Sequence, residues 1–386
     1  MSHCLENLRI LDLSMNLPGP YMTWLMASLG AEVVKVENPD RGDFLRRLGN
    51  ANNDRQTSPY FEAVNRNKKS ITLNLKHPEA KTLFFKLLDL YDVVVEGFRP
   101  GTMERLGLGF KSTSVVQPRL IHLALSSYGQ DGPNLTRAGY DLNCLSLSGI
   151  MSMTGTKEGQ LAIPGIQIAD VGGGSLMSLV ALLAAIIERE KTGKGQFIDA
   201  SIFHGTLSLA TMMFGAVEAG AETCQPGAMM LNGGAACYGV YETKDGRHMS
   251  LAAVEPKFWK NFCSAIGRTD LEESQYGGPQ TIEELRRVFS ERTQEEWTEL
   301  IGSHDAACEP VLTLSEAANL ELVRARDMII RDSQGSRQLR SPLRLGGSPP
   351  VEDLPAPRLG EHTQEVLGRL GLSSSALDAL AWEGVI

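Results

Sequence analysis

The sequence predicts an α/β fold: a larger domain on a parallel sheet, with a smaller α+β domain of different style. Two observations carry this. Short apolar runs alternate with helical patterns through the first half of the chain, and Asp245-Gly246 joins two strand-like runs further on, a strong hairpin signal. At 386 residues two domains are expected; 42% hydrophobic residues suffice for a full core, and 39 glycines with 6% aromatics suit an α/β protein with many tight turns.

Taken in order, Leu8–Leu13 reads as a strand, Pro18-Gly19-Pro20 breaks it, Tyr21–Leu29 has helical spacing, and Ala31–Glu37 is a second strand. Strand, turn, helix and strand within thirty residues make a βαβ unit with parallel pairing. The first turn lacks G-x-G-x-x-G, so nucleotide redox chemistry is weakly supported, although such a turn still holds a phosphate or adenine at the carboxyl edge of a sheet. Asp40–Ser58 is polar and irregular, a surface loop. Further strands are expected at Ser70–Leu75, Asp92–Glu96 and Leu120–Ser126, with helices at Pro78–Leu90 and Leu142–Ser148, the latter with Asp141 as a plausible N-cap. The cluster Asn65-Arg66-Asn67-Lys68-Lys69 and Arg99 stand at strand edges. They are either solvated charges or, in an acidic protein, the grip on an anionic ligand. A strand and long helix follow Gly193–Gln196, and Gln225–Gly234 looks like a mobile loop. A hairpin and helices at Phe258–Ile266, Thr281–Ser290 and Gln294–Ile301 form the small domain, and Leu314–Arg326 and 361–381 are helical again.

The net charge of −9 argues against a nucleic-acid partner. Six scattered cysteines without CxxC spacing read as reduced cytosolic thiols, and the seven dispersed histidines include no metal motif; His122 fits a core histidine inside an apolar strand. The N-terminal MSHCLENLRILDLS has no secretory pattern, so a soluble cytoplasmic protein is expected, without membrane contact.

The stretch Pro164–Glu190 organises the rest. An apolar run ends at Asp170, Gly172, Gly173 and Gly174 follow, and an apolar helix pattern then runs to Glu188. Ser175–Ile187 supplies thirteen apolar or small residues, fewer than the about 20 a membrane span needs, so a buried helix is expected. Asp170 is either a plain N-cap or a carboxylate beside a glycine nest that favours negative charge. With no G-x-S-x-G and no Cys–His signature, the remaining reactive groups are carboxylates: Asp170, Asp141 beside Tyr140, and Glu255 at the end of an apolar strand, where it equally suits a helix start. A carboxylate beside backbone donors attacks a carbonyl, or removes a proton next to one if burial raises its pKa.

The motifs NRNKKSITLNLK, VVEGFRPGTMERLGLG, SSYGQDGP, AGYDLN, IADVGGGS and EREKTGKGQFIDAS together resemble the class III CoA-transferase family, which also contains the α-methylacyl-CoA racemases. The likeness runs from LRILDLSMNLPGPYMTWLMASLGAEVVKVENPDRGD to RLGEHTQEVLGRLG. It implies an interlocked homodimer in which a Rossmann-like large domain combines residues 1–190 and 336–386, with linkers at 191–229 and 311–335 and a small domain at 230–310. It implies no permanently bound cofactor, with an acyl-CoA thioester and a carboxylic acid as substrates. The resemblance places CoA near Leu17, Lys69 and Arg99 and makes Asp170 the catalytic aspartate, with Gly172 and Gly173 offering N–H groups. Tyr140 stands where racemases carry histidine, and a phenol is a poor base near neutral pH. Glu255 matches the racemase glutamate. The likeness therefore implies CoA transfer through an Asp170 anhydride and thioester, with 2-methylacyl-CoA epimerisation by Asp170 and Glu255 or Tyr140 as the alternative.

Overall fold

The computed structural model describes residues 2–49, 58–332 and 335–386; residues 50–57 of the expected surface loop lie outside this range. The chain divides into two compact units, one of residues 1–148, 166–209 and 326–386, the other of residues 149–165 and 210–325. Sequence reading left 149–165 with the large domain and treated 191–229 as a linker. In the structure, the strand Phe197–Ser201 within that linker completes the main sheet.

The first unit is built on six parallel strands: β1 (Arg9–Leu13), β2 (Glu32–Glu37), β3 (Lys68–Thr72), β4 (Val93–Glu96), β5 (Ile121–Ser126) and β6 (Phe197–Ser201). Their spatial order is β3-β2-β1-β4-β5-β6. The winding therefore reverses between β1 and β4, opening a crevice at the carboxyl ends of those two strands. Nearly continuous burial of β1, β2, β4 and β5 explains their Val/Ile/Leu runs, since helices cover both faces of such a sheet. The covering helices before β6 are α1 (Pro18–Ala27), α2 (Pro59–Asn65), α3 (Pro78–Leu88), α4 (Thr102–Leu106), α5 (Phe110–Val116) and α6 (Asp141–Leu147). On α3, Ala80, Leu83, Phe84, Leu87 and Leu88 are buried at helical spacing.

The C-terminal segment joins the same core. Its helices α15 (Thr363–Gly368) and α16 (Ser374–Trp382) bury Val366, Leu367 and Leu377 there, and the N–H of Asn74 donates to the Val385 carbonyl (2.8 Å).

The basic cluster is neither solvated nor open to a ligand. β3 begins at Lys68, two residues earlier than expected, so Lys68 and Lys69 point to opposite faces of the sheet. Lys68 is fully buried and donates to Asp12 (3.1 Å), the Pro20 carbonyl (2.9 Å) and Asn65 (2.9 Å). Lys69 pairs with Glu365 (2.6 Å) and Glu32 (3.4 Å). Arg66 is buried against the Trp24 ring, bonds the Leu339 carbonyl and pairs with Asp353 (3.5 Å).

Lys68 belongs to a buried ionic network. Lys35 pairs with Asp43 (2.8 Å) and donates to the Ser14 carbonyl (2.7 Å). Asp12 accepts from the Ser14 N–H (3.0 Å), the Ser14 hydroxyl and the Thr23 hydroxyl (2.6 Å). Asp43 accepts from the N–H of Asn16 (3.1 Å), whose φ of 64° turns the chain into α1. Burial alone would raise the Asp12 carboxyl, but Lys68 and Lys35, with the two hydroxyls, hold it down to about 2.

The glycine-rich stretch is not a loop. Ala169–Leu176 is a π-helix that continues into α7 (Met177–Thr192), making one helix of 24 residues. By length and composition this helix is sufficient to cross a membrane, so counting only Ser175–Ile187 underestimated it. In this fold its first half packs between α1 and α8 (Ile202–Leu209), and its last turn is pinned by the buried Arg189 paired with Asp92 (3.1 Å). Glycines permit that packing: a Cβ on Gly205 would lie 2.0 Å from the Gly173 carbonyl oxygen, and one on Gly173 would lie 2.3 Å from the Thr206 hydroxyl.

In the second unit, α9 (Thr211–Glu218) precedes an antiparallel sheet of β7 (Tyr238–Glu242), β8 (His248–Ala252) and β9 (Cys308–Pro310). It packs with α10 (Pro256–Ala265), α11 (Pro279–Phe289) and α12 (Gln294–Gly302) around Trp259, Phe262, Phe289 and Trp297. Both tryptophans satisfy their indole N–H on carbonyls, Trp259 on Leu271 (3.1 Å) and Trp297 on Phe289 (2.8 Å). The expected helix Leu314–Arg326 is split into α13 (Leu314–Ala317) and α14 (Glu321–Arg324). A short hairpin, β10 (Ile329–Arg331) and β11 (Arg337–Leu339), precedes the C-terminal helices in the first unit.

Lys68→Met removes one partner of a fully buried pair and should cost about 3–5 kcal/mol in urea unfolding. Because the Asp12 carboxyl is lowered in the folded state, its contribution is present above its ordinary 3.8 and is lost as pH falls toward about 2; acid unfolding reads this directly. Gly205→Ala, which drives a Cβ onto the Gly173 carbonyl, should lower stability by about 1–3 kcal/mol in thermal melts. Gly215→Ala, where nothing lies within 4 Å, should instead be neutral or slightly stabilising.

Candidate active site

A cavity of about 220 Å³ opens where the winding of the sheet reverses. It is lined by the segment after β1 (Ser14, Met15, Asn16, Pro18), that after β4 (Gly97, Phe98, Arg99, Pro100) and that after β5 (Ser126–Gly129). Leu135, Arg137, Ala138, Gly139, Tyr140 and Asp170 complete the wall. The sheet makes this place because successive strands leave it in opposite directions, so the loops after β1 and β4 part.

Each loop has its own anchor. The ionic network holds Ser14 and Asn16. The buried Glu96 accepts from the Phe98 N–H (2.6 Å), fixing the turn that carries Arg99; burial pushes the Glu96 carboxyl up to about 8. The Ser127 hydroxyl donates to the Gly139 carbonyl (2.8 Å), and a Cβ on Gly139 would lie 2.8 Å from the Tyr128 hydroxyl oxygen, so only glycine lets this loop approach β5. Tyr140 follows, 70% exposed, with its N–H bonded to Asn143 (3.0 Å).

Asp170 is 9% exposed, on the first turn of the π-helix. Among the described residues the cavity lining contains no other carboxylate and no histidine. Burial, and then the charge of Asp141, raise the Asp170 carboxyl to about 7. Asp141, which the sequence suggested as the N-cap of α6, instead reaches across to the Asp170 helix. One of its oxygens accepts from the N–H groups of Ala169 (2.7 Å) and Asp170 (3.1 Å). Cys144 lies near both acids, and burial with their two charges raises its thiol to about 12, leaving it neutral.

The other expected site residues divide sharply. Arg99 and Tyr140 line the cavity with Asp170, and Arg99 makes no ion pair among the described residues. Arg137, which the sequence reading passed over, lines it too; its only sequence signal is a cation two residues before the AGYDLN turn glycine. Leu17 does not line it: Asn16 and Pro18 do, while Leu17 packs on Leu45, Phe61 and Val64. Lys69 is held by Glu32 and Glu365, outside the lining. Gly172 and Gly173 do not form an open nest. Both lie within the π-helix, after a Val171 N–H that donates to the Gln167 carbonyl (3.0 Å), and Gly173 packs against Thr206 and Ile202 of α8. Glu255 stands in the second unit, exposed at the start of α10, where its side chain makes no capping bond.

Comparison with known proteins agrees with this architecture. The chain is 32% identical to human α-methylacyl-CoA racemase, covering 99% of this chain and 97% of that protein. It is 34% identical to an acyl-CoA transferase of Fusarium pseudograminearum, covering 99% and 88%. A solved CAIB/BAIF family protein from Brucella suis superposes with a TM-score of 0.83 at 28% identity, covering 96% of this chain and all of that one. Residues 5–363 match the model of CoA-transferase family III, and the chain belongs to that family.

Proposed function

We propose that this enzyme transfers CoA from an acyl-CoA thioester to a free carboxylic acid, with Asp170 as the covalent carrier. The observation that carries this reading is the solitary carboxylate in the cavity wall: a ping-pong transfer needs one such group, whereas epimerisation needs a base on each face of the α-carbon. The Asp170 carboxylate attacks the thioester carbon; the C–S bond breaks, and CoA thiolate leaves behind a mixed anhydride. The thiolate then attacks the aspartyl carbonyl and releases the first acid as its carboxylate, giving an aspartyl-CoA thioester. The acceptor carboxylate displaces CoA to form a second anhydride. Attack of the thiolate on the acceptor's acyl carbon gives the new thioester and regenerates Asp170.

A proton affinity near neutrality supports this role. Burial and the Asp141 charge raise the Asp170 carboxyl, which makes its carboxylate more basic and a better nucleophile than an ordinary aspartate. Arg99 and Arg137 supply positive charge for the phosphates of CoA, and the Tyr140 phenol is available to orient the acyl oxygen. Lys69 and Leu17 are not part of this proposal. A second copy of the chain would cover the exposed Val180 and Ile187, seven residues apart on α7, consistent with a homodimer. The six free thiols suit a reducing, cytoplasmic setting.

Epimerisation is kept as a second reading because the racemases are among the relatives and a group titrating near pH 7 suits proton abstraction. Tyr140 would then serve the opposite face.

Asp170→Ala should reduce transfer by about 10³-fold or more. Hydroxylamine added with acyl-CoA should leave a hydroxamate on Asp170, detectable by mass spectrometry; an active Asp170→Ala enzyme would exclude the carrier role. In deuterated water, a 2-methylacyl-CoA thioester should gain no α-deuterium in the absence of an acceptor acid. Rapid exchange with unmodified Asp170 would instead establish the epimerase.

A further inference from the structure

The start of a helix normally lowers the proton affinity of a carboxylate placed there, because unpaired N–H groups and the helix dipole stabilise its charge. Asp170 occupies such a position, and its own N–H and that of Ala169 are already bonded. Asp141, from a different helix, accepts both with a single oxygen at 2.7 and 3.1 Å.

We propose that Asp141 is a positioning residue for the reaction: bonded to the N–H of Asp170 itself, it fixes the start of that helix and sets a second negative charge beside the reacting carboxylate. This rests on the assignment of Asp170 as the reacting group. The bonds at 2.7 and 3.1 Å hold this anion next to Asp170, and a neighbouring anion disfavours a second negative charge. The other groups around Asp170 do not supply this. Cys144 on α6 is neutral, Tyr128 and Tyr140 are phenols, and Arg99 and Arg137 on the cavity loops act in the opposite sense. His204 on α8 bonds the Ser201 hydroxyl (2.7 Å) and is not in the cavity lining, and the α1 residues of the lining, Pro18 and Gly19, do not titrate.

The test is the pH dependence of kcat/KM for the full-length enzyme between pH 5 and 9, with an acyl-CoA and its acceptor acid. Asp141→Asn keeps an oxygen acceptor for both N–H groups and removes the charge. It should move the acid-limb midpoint down by about one pH unit. Asp141→Glu, which keeps the charge, should hold the midpoint near that of the unmodified enzyme. Carbon-13 NMR titration of aspartate-labelled protein, with Asp170→Ala to assign the resonance, should show the same downward shift without reference to turnover. Should Asp141→Asn fail to fold, Asp141→Ser, which also offers an uncharged acceptor, carries the same expectation. An unchanged midpoint, or a uniform loss of rate at every pH, would overturn the proposal. That result is distinct from a failure of the Asp170 assignment, which would appear as an active Asp170→Ala enzyme.

Discussion

The structure around the site depends on two lysines that have no access to water. Lys35 and Lys68 stand on neighbouring strands, each fully buried, and between them hold Asp12 and Asp43. Burying four charges is costly, and the cost is offset only if every group is paired and hydrogen-bonded. That condition dictates the local chain path. The Ser14 carbonyl must turn inward to meet Lys35, Ser14 and Thr23 must donate to Asp12, and the N–H of Asn16 must reach Asp43. The segment from Ser14 to Pro18 that forms one wall of the cavity is thus the visible edge of an ionic core. Removing one ion releases both the core and the wall.

This explains why the basic cluster misled sequence reading. Five polar residues in a row look like a surface loop, and in an acidic protein they look like an anion grip. Neither reading registers that β3 begins at Lys68, so the pleat sends alternate side chains to opposite faces: Lys68 into the ionic core and Lys69 to Glu32 and Glu365. The partners of Lys68 and Arg66 are far away in sequence and carry no local signal. The strands themselves were legible, because runs such as Asp92–Glu96 and Leu120–Ser126 have β-branched or aliphatic centres in Val93–Val95 and Leu123–Leu125, the pattern of strands buried on both faces. The hairpin was legible from Asp245-Gly246 for the same kind of local reason.

The glycine triplet shows the opposite limit. In sequence it reads as a ligand nest at the start of a buried helix. In the structure it is the interior of a helix, and Gly173 is small because the backbone of α8 crosses at Gly205. Asp170 is legible in sequence as a carboxylate at a helix start. The property that distinguishes it from an ordinary cap was not legible: its N–H groups are occupied by a residue 29 positions earlier in the chain. Asp141 was noticed but assigned to the helix that follows it in sequence, since nothing local indicates that it faces another element.

These two features act together on the chemistry. The ionic core and the Glu96 turn shape the cavity loops, and Asp141 sets a second negative charge at the start of the Asp170 helix. A carboxylate in ordinary surroundings would be a weak nucleophile. Here burial and a second anion act on it with little to counter them. The protein thus keeps a basic carboxylate near neutrality inside a cavity that also offers arginines to an anionic substrate. The N–H groups of Ala169 and Asp170 are both bonded to Asp141, so the start of the helix and the charge beside the reacting carboxylate rest on the same hydrogen bonds.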